Sequence, residues 1–297
     1  RKAIESLRED DCFLIVTGQQ PGLLGGPLFT FYKILHAIVL AKRLTRERQE
    51  TFLPVFWDAS EDRDFPEIAT MQWLSKERKT MSFSWPGDSV SRRPYAGISM
   101  GECPLNELLD RIRDTTHPTE FTEPIIASIR KAARGVDSYP DFFDRLMWSL
   151  FPDEGLIVIR PDDPWMRRRA VSLWEAEIHD PQRSAAGVER IGTLLKARGL
   201  SPQIHKRADR ASFFLLEEGE RQAVSITPED FATEGGHTYT ASELRRRLHE
   251  RPEDFSPSAI LRPTIQDAVL PTAAAVLGPS EVAYHFLLHD IYAAHEI

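Results

Sequence analysis

The hydrophobic and polar positions of the first 44 residues predict a strand, a loop and a helix in succession. The run from Phe13 to Thr17 is short, apolar and rich in β-branched side chains, which is typical of a buried parallel strand. A glycine-rich segment from Gly18 to Pro27 interrupts it, and Leu28 to Leu44 then shows helical spacing with an apolar middle. In this layout, backbone N–H groups at a helix N-terminus can meet an anionic ligand.

The glycines of this loop match neither common phosphate-binding signature. They stand at positions 18, 22, 25 and 26, which argues against a P-loop nucleotidase and against a standard dinucleotide-binding dehydrogenase. Two interpretations stay open. The glycines make a tight, closely packed turn, or the loop binds a ligand, which the neighbouring Gln19 and Gln20 favour because an amide offers both donor and acceptor without charge. Pro27 suits the first helical position.

A second strand is predicted from Phe52 to Trp57, and an acidic stretch from Asp58 to Phe65 follows it. Two such strands with a helix between them make a right-handed βαβ unit on a parallel sheet. Clustered carboxylates at the carboxyl end of a sheet strand can hold a substrate ammonium group or act as a general base. The alternative is a helix N-terminus rich in Ser, Asp and Glu, which capping and the helix dipole favour by themselves.

The remaining pattern predicts further elements, with a helical segment first and a small β-rich segment later. They are a hairpin or edge strand over 71–84, helices over 105–113, 123–134 and 139–151, a strand over 155–160, helices over 165–178 and 187–198, strands over 203–206 and 212–217 and a helix over 241–251.

The apolar pattern of the last 40 or so residues predicts another segment of the core. Residues 259–263 predict a strand end, Gln266 and Asp267 a loop, and Gly278 to Glu281 the start of a helix that runs to Tyr292. His285 and His289 stand four residues apart and could share a metal ion, but the pattern of a third ligand is missing. We therefore predict no metal site.

Composition narrows the class of protein. With 41% hydrophobic and 28% charged residues, the chain is typical of a globular protein. The net charge of −8 argues against a nucleic-acid surface. Cys12 and Cys103 form no metal or disulfide framework, and neither a membrane span nor a signal-peptide core is apparent. We expect a cytoplasmic protein. Since the chain begins without Met and stops just after a helical pattern, we also expect it to be part of a longer one.

Four stretches carry a resemblance to a known family. The segment from Val16 to Leu28 reads VTGQQPGLLGGPL and closely resembles the signature of the bacillithiol-biosynthesis cysteine-adding enzymes, or cysteine ligases. Residues 54–65, 261–273 and 278–284 fit the same family in the right order. The resemblance spans nearly the whole chain, and its first motif is long and unusual.

The resemblance implies an α/β fold with a Rossmann-like parallel sheet, related to nucleotidyltransferases and class I synthetases and interrupted by connecting insertions. We expect core segments at 1–77, 151–180 and 255–297, a mainly helical insertion at 78–150 and a small mixed insertion at 181–254. The implied reaction adds L-cysteine to glucosaminyl-malate, giving bacillithiol through an amide bond. In synthetase-like sheets ATP activates the acid as an adenylate; the resemblance leaves open whether ATP is used here.

The resemblance also suggests roles by position. Glu61, Asp62 and Asp64 would bind an ammonium group or take its proton, and the loop over 17–27 would cradle a phosphate or carboxylate through backbone N–H groups. Arg262 and the Gly278 junction would complete the opposite wall. The candidate binding residues are Thr17, Gly18, Gln19, Gln20, Gly25, Gly26, Lys33, Arg63, Arg262, Gln266, Gly278, Glu281 and Tyr284.

This chain departs from the family pattern in three ways. Arg63 stands where the family usually has His, and Arg cannot act as a base because it stays protonated. Family members are considerably longer, with a C-terminal continuation of the core and a coiled coil that makes a homodimer. The cysteine-coordinated zinc with which cysteinyl-tRNA synthetases select cysteine is also missing. Two alternatives therefore stay open: a nucleotidyltransferase-like enzyme that adenylates another small acid, and a catalytically degenerate ligand-binding protein.

Overall fold

The structure is a computed structural model that describes residues 2–87, 92–204 and 206–297. The chain divides into two compact units, Arg1–Arg160 and Pro161–Ile297. The predicted division into alternating core segments and insertions follows a different criterion and stays a prediction.

The first unit combines a parallel sheet, a hairpin and helices. Its strands are β1 (Cys12–Gln19), β2 (Thr51–Asp58), β3 (Thr70–Leu74), β4 (Thr80–Ser84) and β5 (Ile157–Ile159), and its helices are α1 (Lys2–Ser6), α2 (Leu28–Glu47), α3 (Phe65–Ala69), α4 (Leu105–Thr115), α5 (Thr122–Ala132) and α6 (Tyr139–Leu150).

Strand β2 lies between β1 and β5 and is parallel to both. The centres of β1 and β2 are fully buried, with Ile15, Val55 and Phe56 at 0% exposure, as two-sided burial in a parallel sheet requires. The predicted βαβ unit is therefore confirmed. Strand β1 continues two residues beyond the prediction, so Gly18 and Gln19 belong to the strand and not to the loop.

The hairpin and helices predicted after this unit are confirmed. Strands β3 and β4 pair antiparallel, and α4, α5 and α6 each begin within one residue of the predicted start. Their apolar faces form one core with residues of α2 and β2, in which Trp85 and Tyr139 meet edge to face with ring centroids 4.9 Å apart. This core positions α6 beside the sheet.

The second unit contains an antiparallel sheet and seven α-helices in its described residues. Its strands are β6 (Arg210–Glu217), β7 (Glu220–Ile226), β8 (Phe231–Thr233), β9 (Thr238–Tyr239), β10 (Phe255–Pro257) and β11 (Thr272–Ala275), and its helices are α7 (Pro164–Arg169), α8 (Val171–His179), α9 (Arg183–Ala197), α10 (Ala241–Glu250), α11 (Leu261–Val269), α12 (Pro279–His285) and α13 (His289–Ala294).

The antiparallel sheet has the strand order β10-β6-β7-β8-β9. The strand predicted over 203–206 is wrong for Gln203, Ile204 and Lys206, which belong to no strand, and His205 lies outside the described residues. Two further predictions, for the segment after β10, are also wrong. Residues 261–263 of the predicted strand end and the predicted loop at Gln266 and Asp267 lie instead in the helix α11, and residues 259–260 form a turn before it. The apolar run around Leu261 was too short for its period to decide between strand and helix, and packing of Leu261 and Ile265 against the second unit's core decides for helix.

Two predicted helices of this unit are interrupted. The helix expected over 165–178 is divided at Ala170, where the backbone leaves the helical conformation (φ −91°, ψ 0°). Asp163 caps its first part, because the Asp163 side chain accepts a 2.7 Å hydrogen bond from Trp165 N. The helix that starts at Pro279 is likewise divided by a short 3-10 helix, Phe286–Leu288. No helix within the described residues has the length and hydrophobicity needed to cross a membrane.

Candidate functional site at the carboxyl ends of the first two strands

The last residues of β1 and β2 lie side by side. Gln19 stands opposite Asp58 in the parallel register, and the N–H of Ala59 donates a 3.0 Å hydrogen bond to the carbonyl oxygen of Gln19. The predicted glutamines and the predicted acidic stretch therefore meet at one edge of the sheet. This is the edge at which open α/β sheets bind ligands.

Lys33 of α2 holds the end of β1 through two hydrogen bonds. Its side chain is buried, with 3% exposure, and Nζ donates 2.6 Å to the carbonyl oxygen of Gly18 and 3.5 Å to Oε1 of Gln19. A buried ammonium group needs such acceptors because removal from water penalises its charge. Lys33 thus orients Gln19 and touches the site through that side chain.

A chain of amide and carboxylate contacts runs across the edge. Nε2 of Gln19 donates 3.0 Å to Oε1 of Gln20, and Nε2 of Gln20 donates 2.5 Å to Oε2 of Glu67 on α3. Burial, followed by the negative charges of Asp62 and Asp64, raises the pKa of Glu67, while the hydrogen bond from Gln20 acts in the opposite direction. Glu67 was missing from the predicted site. The predicted acidic stretch ends at Phe65, two residues before Glu67.

The three predicted acids differ in their surroundings. We use the name acidic loop for residues 59–64. Within it Glu61 is buried with 4% exposure, Asp62 is half-buried and accepts a 2.8 Å bond from the Arg63 N–H, and Asp64 is exposed. Glu61 is therefore shielded from solvent, whereas Asp64 is accessible to a ligand that arrives from solvent.

Tyr95 holds the acidic loop in place. Its backbone N–H donates 2.8 Å to the carbonyl oxygen of Asp62, and its hydroxyl donates 2.7 Å to that of Asp64. Asp64 stands at the N-cap of α3, but its side chain makes no capping hydrogen bond. Capping by Asp64 therefore does not account for the acids of this loop.

The glycine loop is closely packed. A Cβ on Gly22 would lie 2.7 Å from the Cα of Gly26, and one on Gly25, whose φ is +99°, would lie 2.3 Å from Cζ of Phe31. The N–H groups of Gly22, Gly25 and Gly26 donate to the carbonyl oxygens of Gln20, Gly22 and Leu23. An anion cradled by these N–H groups would have to replace those bonds. The tight-turn interpretation thus describes the geometry, and the cradle stays a prediction.

Pro27 and Thr17, at the two ends of the glycine loop, differ in how their predictions stand. Pro27 is the N-cap of α2, with an extended backbone (φ −66°, ψ 147°), and not its first helical residue. Thr17 is fully buried within β1. Its candidate role in binding stays a prediction.

The candidate residues of the second unit form local hydrogen-bonded groups. Arg262 Nη2 donates 2.9 Å to the hydroxyl of Tyr284, and the N–H of Gly278 donates 2.6 Å to Oε2 of Glu281 at the start of α12. Gln266 Nε2 donates 3.0 Å to Oδ1 of Asp267. The expected role of these residues as one wall of a crevice stays a prediction.

The second unit contains a cavity of about 600 Å³ that the sequence does not predict. Apolar side chains line it together with Asp267, His285, His289 and Tyr292. Burial lowers the pKa of His285, and the charge of Arg262 acts in the same direction. In the part of the chain that the structure describes, no three His, Cys, Asp or Glu side chains are grouped as a metal would require.

The fold and the site define an α/β domain of Rossmann type whose polar site lies at the carboxyl ends of its first two strands. A family model described as "Bacillithiol biosynthesis BshC, N-terminal Rossmann-like domain" matches residues 1–297. The chain belongs to this family, and both the predicted family and the predicted fold class are confirmed.

Curated relatives support the same assignment. A protein of Salinibacter ruber is 35% identical over 294 residues, which are 98% of this chain and 53% of that protein. Proteins of Prosthecochloris aestuarii and Bacillus velezensis are 33% and 29% identical over 95% of this chain and 50% and 52% of their own lengths. All three are named "Putative cysteine ligase BshC". The chain spans about half the length of these relatives.

Proposed function

We propose that this chain is the Rossmann-like part of a cysteine ligase that joins L-cysteine to glucosaminyl-malate in bacillithiol biosynthesis. The observation that carries the proposal is the family match over residues 1–297, together with relatives whose printed name is cysteine ligase. The linked Gln19, Gln20 and Glu67 side chains at the sheet edge supply a site that suits this chemistry.

The bond to be formed is an amide. As the amine of the sugar attacks a cysteine carboxyl carbon, it must lose a proton and one C–O bond of the carboxyl must break. The oxygen leaves as water, or together with the activating group when the carboxyl is activated first. A carboxylate near the amine can bind its ammonium form and accept the proton. A carboxylate with a raised pKa is the stronger base. Glu67 has this property, and Gln20 holds one of its oxygens in a fixed direction. We assign Glu67 this role beside the exposed Asp64.

Arg63 supports recognition of the acceptor. It is half-buried beside Asp62 and Asp64, and a guanidinium group binds carboxylates through two parallel hydrogen bonds. The two carboxylates of a malate group are ligands of this kind. We propose that Arg63 contacts them.

ATP remains the activator to be tested. The loop N–H groups that would bind its phosphates donate to the loop's own carbonyl oxygens, and Lys33 is directed at Gly18 and Gln19. The described contacts therefore do not form a ready phosphate site, and we route no step through a nucleotide.

Calorimetric titration with glucosaminyl-malate tests the site in this chain. We expect binding that Glu67→Ala and Gln20→Ala weaken at least tenfold. Gln49→Ala is the matched control, because Gln49 is exposed and precedes β2 at its opposite end. Equal affinity in the Gln20 and Gln49 variants would contradict the assigned site.

Turnover tests the reaction itself. The complete protein that carries these residues is expected to form bacillithiol from L-cysteine and glucosaminyl-malate, and mass spectrometry detects the product. Release of AMP during turnover would identify adenylation. Absence of product with every nucleotide tested would overturn the ligase proposal, and binding without turnover that Arg63→His restores would favour the degenerate alternative.

The remaining proposals rest on the family resemblance. We place the complete protein in the cytoplasm as a homodimer, and propose neither a membrane nor a nucleic acid as its partner. The net charge of −8 is consistent with the last point.

A further inference from the structure

The side-chain amides of Gln19 and Gln20 form a hydrogen-bonded row that ends in two charged groups. Nζ of Lys33 lies 3.5 Å from Oε1 of Gln19 and donates 2.6 Å to the carbonyl oxygen of Gly18. At the other end, Oε2 of Glu67 accepts the 2.5 Å bond from Nε2 of Gln20. The row therefore runs from a buried ammonium group to a carboxylate.

The two ends of the row agree on which atom of each amide faces which neighbour. The oxygen and nitrogen of a side-chain amide have almost the same shape, so the partners decide the assignment. An inverted Gln20 would place its oxygen against the carboxylate of Glu67, and an inverted Gln19 would place its NH₂ group against the ammonium of Lys33. Both contacts are repulsive, and more so beside the buried Lys33. Charge therefore fixes the direction of both amides.

Each amide nitrogen has a second hydrogen that the row does not use. Gln19 donates one N–H to Oε1 of Gln20, and Gln20 donates one to Glu67. A side-chain amide nitrogen carries two hydrogens, and among the described residues no acceptor takes the second one of either glutamine. Because the oxygen and the first hydrogen of each amide are held, the direction of the second N–H is set before a ligand arrives. The two glutamines thus form a preorganised pair of donors.

These donors suit a ligand that presents oxygen acceptors. Nε2 of Gln19 lies 3.0 Å from Oε1 of Gln20, so the two amide nitrogens are at most about 5 Å apart, close enough for one carboxyl group to contact both. A cation is disfavoured at the Gln19 end, because the ammonium of Lys33 already stands at Oε1. Both glutamines are half-buried, so the donors are partly shielded from water but not closed off.

We propose that Gln19 and Gln20 form an amide donor pair that binds the carboxyl group of the amino-acid substrate, and that Lys33 is the positioning residue that holds the pair in this direction. The carboxyl oxygens accept the second N–H of each amide. Gln20 also contacts Glu67, the acid to which the proposed function assigns the attacking amine. The pair thereby places the carboxyl carbon beside that amine. The identity of the amino acid as L-cysteine rests on the proposed function, whereas the direction of the donors does not.

Calorimetric titration of the unmodified chain with L-cysteine and with cysteamine tests the class of ligand. Cysteamine has the same thiol and amine but lacks the carboxyl group. We expect its affinity to be lower than that of L-cysteine by about tenfold or more. Attraction of a positive charge to the acids of the site alone would produce the opposite order, because cysteamine is a cation. Equal affinities, a preference for cysteamine, or no binding of L-cysteine would overturn the proposal.

A matched pair of variants locates the bound carboxyl group. Gln19→Met keeps the length of the side chain and removes both of its N–H donors without adding charge. We expect it to lower the affinity for L-cysteine by about tenfold or more. Gln49→Met makes the same replacement at an exposed position before β2 and is expected to keep the affinity. Equal affinities in the two variants would contradict the donor pair.

Nuclear magnetic resonance tests the role of Lys33. Relaxation of Nε2 of Gln19 reports how rigidly this amide is held on the picosecond to nanosecond timescale. The amide is expected to be rigid in the unmodified chain and in Lys42→Met, which removes an exposed ammonium of the same helix, and mobile in Lys33→Met. An amide that is mobile in the unmodified chain, or still rigid in Lys33→Met, would refute the positioning role.

The two proposals can fail separately. If L-cysteine binds through the pair but the complete protein forms no bacillithiol, the ligase activity is refuted and the donor pair stands. If the complete protein forms bacillithiol while Gln19→Met and Gln49→Met bind L-cysteine equally well, the donor pair is refuted and the ligase activity stands.

Discussion

The side-chain amide of Gln20 donates a 2.5 Å hydrogen bond to the carboxylate of Glu67, 47 residues further along the chain. The contact joins the glycine loop to the first turn of α3 and brings a pKa-raised acid to the end of β1. It also adds to the candidate site a carboxylate from outside the acidic loop.

The pKa of Glu67 is expected to move in opposite directions in two variants. Asp64→Asn removes a negative neighbour, which lowers the pKa, whereas Gln20→Ala removes a donor to the ionised carboxylate, which raises it. Carboxyl carbon titration by nuclear magnetic resonance measures both shifts. Movement in the same direction, or none, would contradict the described contacts.

Replacement of Lys33 by Met is expected to destabilise the first unit by about 1–3 kcal/mol, because the buried carbonyl of Gly18 loses its 2.6 Å donor while the apolar stem is kept. Urea denaturation measures the free energy of unfolding. Lys42→Met is the control, since the exposed Lys42 and Glu154 pair is worth about 0–1 kcal/mol. Equal losses in both variants would mean that the Lys33 contact adds nothing.

Gly22→Ala is expected to cost about 1–3 kcal/mol, because the new Cβ would lie 2.7 Å from the backbone of Gly26 and the loop must shift. Gly101→Ala is the matched control: a Cβ there meets its nearest atom, Ser99 Oγ, at 3.6 Å. Thermal unfolding of the two variants compares them. A wild-type stability for Gly22→Ala would show that the loop has room.

The lowered pKa of Lys206 predicts that the free energy of unfolding of the second unit rises with pH. Burial lowers its pKa from 10.5 to about 8, so between these values the unfolded chain binds a proton that the folded chain has lost. Stability therefore rises with pH in this window, by about 3 kcal/mol for this group. Lys206→Met should abolish the rise, and Lys196→Met, at an exposed position, should keep it. Unfolding free energies from pH 7 to 10.5 provide the measurement, and a rise unchanged in Lys206→Met would refute it.

The sequence by itself determined the local elements of this protein. The apolar run at 13–17, the glycine loop and the spaced helix after it predicted the βαβ unit, because burial on both faces and helical periodicity leave a direct mark on residue order. The unusual VTGQQPGLLGGPL segment likewise identified the family by itself.

Tertiary structure alone decided which side chains meet. Residue order gives no distance between Gln20 and Glu67, because this contact depends on register and on the packing of α3 against the sheet. Packing also decided that residues 261–269 form a helix, because the short apolar run there fits both the helical and the strand period. Two acids that look alike in the acidic stretch became a buried Glu61 and an exposed Asp64, and Glu67 beyond it has a raised pKa, because burial sets the cost of ionisation and only the fold sets burial.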